Sequence, residues 1–123
     1  MANRNFNRLQ ALEKEVKHIH AKIAIGATGA PTLTAASSLG VASISRTSAG
    51  LYVLTLQDAY MRLVNASILI ITPAAEDISV NVSAETVAST KLVTFRCTAA
   101  GVATDPASGD TILVSLELKN SSI

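Results

Sequence analysis

Alternation of apolar and polar residues in the second half of the chain limits its fold more than any other feature. Apolar side chains occupy every second position over residues 78–82, 93–97 and 112–118. Successive side chains of a β-strand point to opposite faces, so each segment predicts a strand with one buried face. The residues expected in the core are Ile78, Val80, Val82, Val93, Phe95, Cys97, Ile112, Val114, Leu116 and Leu118.

Short strand-like segments follow one another at short intervals beyond residue 40. They are expected at residues 41–46, 51–56, 66–72, 78–82, 91–97 and 111–118. Residues 47–50 predict a hairpin turn in which Gly50 adopts a positive φ, and residues 57–64 predict one short helical turn. The pattern as a whole predicts a mainly β fold, with a compact antiparallel β-sandwich or barrel over residues 41–123.

The first 25 residues follow a different rhythm. Their apolar residues are spaced 3, 4, 3 and 4 apart, which is the a/d pattern of a coiled coil. We therefore expect an N-terminal α-helix, short and coiled-coil-like, over residues 1–25, serving oligomerisation or docking, with a trimer favoured over a dimer. The alternative is an amphipathic helix lying on the chain's own β-domain. The expected seam residues are Leu9, Leu12, Val16, Ile19 and Ile23.

Residues 26–40 are rich in Gly, Ala, Ser and Thr and predict a linker or extended arm between the helix and the β-domain. Together the three segments fill a chain of 123 residues, which suits a single compact domain.

Charge and hydropathy argue against two classes of partner. Ten Lys and Arg against nine Asp and Glu give a formal charge of +1, which provides no general attraction to nucleic acid or to an anionic bilayer. The apolar run at residues 66–71 is far shorter than the roughly 20 residues that a membrane-spanning helix needs. The opening MANRNFNR lacks the apolar stretch of a secretory signal, so synthesis in a reducing cytosol is expected.

The residues that could support catalysis are few. His18 and His20 lie two apart in the predicted helix and would not share a face. The single Cys97 is expected to be a small buried hydrophobe. Glu76 with Asp77, and Asp105 with Asp110, fall in predicted turns where acidic residues are ordinary, and a calcium site at 105–110 is disfavoured because EF-hand spacing is missing. We predict no catalytic residue, no metal site, no cofactor and no enzymatic activity.

Several stretches resemble small virion structural proteins of tailed bacteriophages. They are NRNFNRLQALEKEVKHIHAKIAIGATGAPTL, GVASISRTSAGLYVLTLQDAY, ETVASTK and LELKNSS. The most specific part is residues 45–52 together with Leu54, Leu56, Asp58 and Tyr60. The resemblance implies a symmetric oligomer on the outside of a phage particle, made in the host cytoplasm, that binds the major capsid protein or other virion proteins. The expected role is capsid decoration or cementing of the head.

Two other functions stay open at this point. One is a head-fibre or tail adaptor, which the same resemblance allows. The other is a host-surface domain that binds carbohydrate. Glycan binding usually uses exposed aromatic side chains, and the candidates in this chain are Tyr52 and Tyr60.

Overall fold

The computed structural model describes residues 16–119, and over that range the chain is mainly β, with antiparallel sheets. Two three-residue 3-10 turns, Ala27–Gly29 and Ala35–Ser37, are the only helical turns in this range. The strands are β1 (Val16–Ile25), β2 (Pro31–Leu33), β3 (Val41–Ser48), β4 (Leu51–Leu56), β5 (Arg62–Ile71), β6 (Ser79–Thr86), β7 (Leu92–Ala99), β8 (Val102–Ala103) and β9 (Thr111–Lys119).

The strands form two sheets. The first sheet has the order β2-β1-β9-β5, with β9 between β1 and β5. Every pairing in it is antiparallel, and Ile23 and Ile70 both lie opposite Ile112. The second sheet has the order β3-β4-β7-β6, and the short β8 pairs with the end of β7. A β-bulge between Leu63 and Asn65 interrupts the pairing of β5 near its beginning.

One hydrophobic core joins the inner faces of the two sheets. The alternating residues of β1 and β9 form its first half, and those of β4 and β7 its second. The rings of Tyr52 and Phe95 stack there with their centroids 5.5 Å apart. Such stacking stabilises the fold beyond the contribution of the apolar area that the two rings bury. The strands at the side formed by β5 and β6 contribute only partly buried residues to this core.

The helix prediction is wrong for residues 16–25, which form β1. Ile19, Ala21, Ile23 and Ile25 are all at most 3% exposed, and the residues between them are exposed. The spacing of 4 between Ile19 and Ile23 fits both a helical stripe and one face of a strand, whereas Val16, three residues before Ile19, is not on that face. Pairing with β9 over nine residue positions satisfies the backbone of this segment as a strand. Leu9 and Leu12 lie outside the described residues.

Residues 26–40, expected to form a linker or arm, contain both 3-10 turns and β2. The N–H of Leu39 donates to the carbonyl of His20 at 2.7 Å, and β2 pairs with the end of β1. This segment is therefore part of the first sheet and follows β1 along its length.

The six strands expected beyond residue 40 are confirmed, with shifted ends at most of them. The hairpin at residues 47–50 is also confirmed, with φ of +69° at Gly50. The helical turn expected at 57–64 is wrong, because β5 already begins at Arg62. Of the expected core, Val82 is 38% exposed and Ile78 and Val80 pack only at its margin. The confirmed buried residues are Val93, Phe95, Cys97, Ile112, Val114, Leu116 and Leu118.

Candidate interaction surface

The outer face of the first sheet carries a patch of apolar and small side chains. The register places Leu69 and Lys22 on either side of Leu113, and Ile71 and Ala24 on either side of Thr111. Leu69 is 65% exposed and Ile71 is 49% exposed. Contiguous exposed apolar side chains are uncommon on soluble monomers and mark sites of interaction.

Polar residues continue this face toward the other end of the strands. Ser115 lies between His20 and Ser67, and Glu117 lies between His18 and Asn65. His18 Nδ1 is 3.9 Å from a carboxylate oxygen of Glu117, with both side chains largely exposed. The two histidines share this face because residues two apart on a strand point the same way, whereas the predicted helix would have separated them.

A groove separates β5 from β6 at one side of the molecule, and we call it the β5–β6 groove. It has a volume of about 490 Å³. Within residues 16–119 both strands bordering it are edge strands, since in that range β5 pairs only with β9 and β6 only with β7. Every second residue of an edge strand directs an unpaired N–H and C=O outward. The groove is lined by Ala66, Ser67, Ile68, Val80, Asn81 and Val82.

A polar cluster under the loop before β9 fixes the end of the β3–β4 hairpin. Asp105 accepts two hydrogen bonds from the Arg46 guanidinium, at 2.9 and 2.7 Å, and a third from the N–H of Gly50 at 2.8 Å. The hydroxyl of Tyr52 donates to the carbonyl of Gly29 at 2.8 Å. The hydrogen bond from Arg46 holds the pKa of Asp105 below its ordinary range. The cluster therefore joins three separate segments through hydrogen bonds: the β3–β4 hairpin, the loop before β9 and the 3-10 turn that ends at Gly29.

Two acidic residues, Glu76 and Asp110, lie close together at the base of the same loop. Asp110 is 2% exposed and accepts a hydrogen bond from the N–H of Ala107 at 3.0 Å. The neighbouring Glu76 has one buried carboxylate oxygen that finds no hydrogen-bond partner among residues 16–119. Contact with Asp110 raises the pKa of Glu76, because a protonated Glu76 donates a hydrogen bond to that carboxylate. The expectation that these acidic residues are ordinary surface groups is wrong for Asp105 and Asp110.

The pH dependence of stability tests this pair. A pKa raised in the folded state favours folding below the ordinary value of 4.5, and that contribution is lost as the pH rises through the raised pKa. Glu76→Gln keeps a donor beside Asp110 without the charge, so we expect a higher melting temperature than the unmodified protein at pH 7 and no gain at pH 3. Asp77→Asn makes the same change in charge at an exposed neighbour and should show no such difference. Equal pH profiles for both variants would contradict the pairing.

The expected seam residues that the structure describes, Val16, Ile19 and Ile23, do not form one surface. Ile19 and Ile23 are 3% and 0% exposed within the chain's own core, so their side chains are not available to another copy. Val16 begins β1 opposite Lys119. Leu9 and Leu12 precede the described residues, and their role in oligomerisation stays a prediction.

The candidate reactive and glycan-binding residues, Cys97, Tyr52 and Tyr60, are all buried or partly buried. Cys97 is buried, as expected, and burial raises the pKa of its thiol to about 11. Tyr52 is fully buried and Tyr60 is partly buried, so carbohydrate binding has no widely exposed aromatic side chain within residues 16–119. Over the same residues, no cluster of three or more His, Cys, Asp or Glu is arranged to hold a metal ion.

Sequence reasoning missed the outer face and the groove. The signal was the run at 68–71, in which outward and inward positions are both apolar, where a strand with one solvated face would alternate. In the described part of the chain, no helix has the length and apolar character needed to cross a bilayer. The chain matches no protein-family model, and neither curated proteins nor solved structures gave a significant match.

Proposed function

We propose that this chain is a non-enzymatic structural protein of a bacteriophage particle, an oligomeric capsid decoration or cement subunit that stabilises the head. The resemblance of residues 45–52 and their neighbours to small virion proteins supports this proposal. The proposed partners are further copies of the chain, as a trimer or another symmetric oligomer, and the major capsid protein.

The apolar outer face of the first sheet is the observation that carries the proposal. Leu69 and Ile71 project from a sheet whose other face packs against the core, so the surface is formed before any partner binds. A preformed surface binds with little loss of conformational entropy. Repetition of a modest contact over many subunits of a shell, linked by oligomerisation, produces strong attachment through effective concentration.

Copy number per particle tests the proposal. Quantitative mass spectrometry of purified particles of the phage that encodes this chain should give hundreds of copies, in a fixed ratio to the major capsid protein. The matched control is a particle preparation from a phage with the gene deleted. Its heads should break open at a lower temperature than the heads of the unmodified phage. A dozen copies or fewer at one vertex would favour the head-fibre or tail adaptor, and absence from washed particles would overturn a virion role.

A further inference from the structure

We propose that β5 is a self-pairing edge: two copies of this chain join β5 to β5 in antiparallel register, merging their first sheets and closing their β5–β6 grooves against each other. This inference concerns the isolated protein in solution and does not depend on a place in a virion.

Strand β5 lacks the features that normally keep an edge strand from pairing. Natural edge strands are protected by charged side chains, by proline, by bulges or by short length. β5 is ten residues long, and its bulge and its one charge, Arg62, are confined to its beginning. The six residues 66–71, ASILII, carry no charge and no proline.

Whatever fills the β5–β6 groove must cover apolar side chains as well as backbone groups. Ala66, Ile68 and Val80 border the groove and pack only at the margin of the core. Val82, across the groove, is 38% exposed. A single added strand would satisfy the edge of β5 but would leave the side of β6 open. A second copy presents both an edge strand and a matching groove, so it covers both.

Two-fold symmetry lets β5 pair with its own copy. A two-fold axis perpendicular to the sheet makes β5 antiparallel to its copy and keeps the inner faces of both sheets on the same side. With Ile68 facing its own copy, Ala66 faces Ile70 on the inner side of the sheet. Ser67 then faces Leu69 on the outer side, so each residue meets one from the same face. The two Arg62 side chains then lie about 40 Å apart along the strands and do not repel each other.

The charges of the chain argue against its own N-terminal segment as the occupant. The fifteen residues before β1 contain Arg4, Arg8, Glu13, Lys14 and Glu15. The groove is lined by four apolar residues, one serine and one asparagine. A strand drawn from that segment would place charged side chains against apolar ones, which costs free energy without a partner for the charge.

Light scattering on the full chain tests the pairing. We expect twice the chain mass at high concentration, and a dissociation constant about 10- to 100-fold higher for the double variant Ser67→Lys/Leu69→Lys, since lysines then face each other across the new interface. The matched control is Leu39→Lys/Val102→Lys, which adds the same charge at residues 65% and 66% exposed, away from β5, and should leave the mass unchanged.

Charge reversal separates loss of pairing from loss of folding. Ser67→Glu/Leu69→Glu should also be monomeric alone, and an equimolar mixture with the lysine variant should restore the dimer mass. On the unmodified protein, amide hydrogen exchange in residues 66–71 should slow as concentration rises. A monomer at all concentrations, a dimer or trimer whose mass the β5 variants leave unchanged, or exchange independent of concentration would each overturn the proposal.

Discussion

Gly50→Ala is expected to destabilise the protein by about 3–5 kcal/mol. Gly50 has a φ of +69°, and a Cβ there would lie 2.4 Å from the backbone oxygen of Cys97 and 2.7 Å from the backbone nitrogen of Thr104. The backbone of Cys97 in β7 and that of Thr104 are hydrogen-bonded to each other, so moving either of them aside costs free energy. The hydrogen bond from the N–H of Cys97 to the carbonyl of Gly50, 2.7 Å long, would be lost with the displacement.

Gly101→Ala is the matched control for that substitution. Gly101 also has a positive φ, +83°, but in the described part of the chain no atom beyond its two neighbours in sequence lies within 4 Å of the position its Cβ would take. Its expected cost is therefore the conformational part alone, about 1 kcal/mol. Urea denaturation of both variants measures the difference. Equal losses would contradict the close approach of the turn at Gly50 to β7 and to the residue after β8.

Asp105→Ala is expected to cost about 2–4 kcal/mol. The substitution leaves the N–H of Gly50 without its acceptor and the guanidinium of Arg46 without its partner. Both side chains of the ion pair are partly exposed, at 32% and 23%, so water recovers part of the loss. Asp105→Asn keeps an acceptor for Gly50 and should cost less, and Asp77→Ala on the surface should cost almost nothing.

The pH dependence of the same variants gives a second measurement. The pKa of Asp105 is lowered by Arg46 from an ordinary value of 3.8, so its contribution to stability is present above that value. The contribution is lost as the pH falls through the lowered pKa. The stability difference between the unmodified protein and Asp105→Asn should therefore shrink on acidification below pH 3.8. A difference that stays constant down to pH 2 would show that the charge of Asp105 does not matter.

Local patterns predicted much of the fold, because the strands beyond residue 40 carry their periodicity in their own sequence. Val93, Phe95 and Cys97 alternate over one strand, and nothing about a distant partner is needed to recognise it. Turn chemistry was equally local at Gly50, where a positive φ favours glycine.

The beginning of the chain could not be assigned in the same way. Val16, Ile19 and Ile23 fit a helical stripe, and Ile19, Ile23 and Ile25 fit a strand. The choice between the two was made by pairing with β9, whose partner residues lie between 87 and 103 positions away in sequence. Local propensity is a weak guide where such pairing is available.

The polar sites were beyond sequence reasoning for a related reason. Arg46 and Asp105 are 59 residues apart, and Glu76 meets a loop about thirty residues further on. Single carboxylates in turns are usually solvated, so no feature of their neighbours in sequence marked them as buried or paired. The apolar edge at 66–71 was visible as a run of residues, but which of its sides would lie open depended on the strand order.

The central place of β9 in the first sheet also determines when the protein can fold during synthesis. β1 and β5 each pair along their length with β9, so neither gains its main partner until the ribosome has released residues 111–119. Until then the isoleucine-rich strands of the nascent polypeptide stay uncovered, and contacts of such large sequence separation form slowly. During this interval of translation, holdase chaperones would bind the exposed apolar strands.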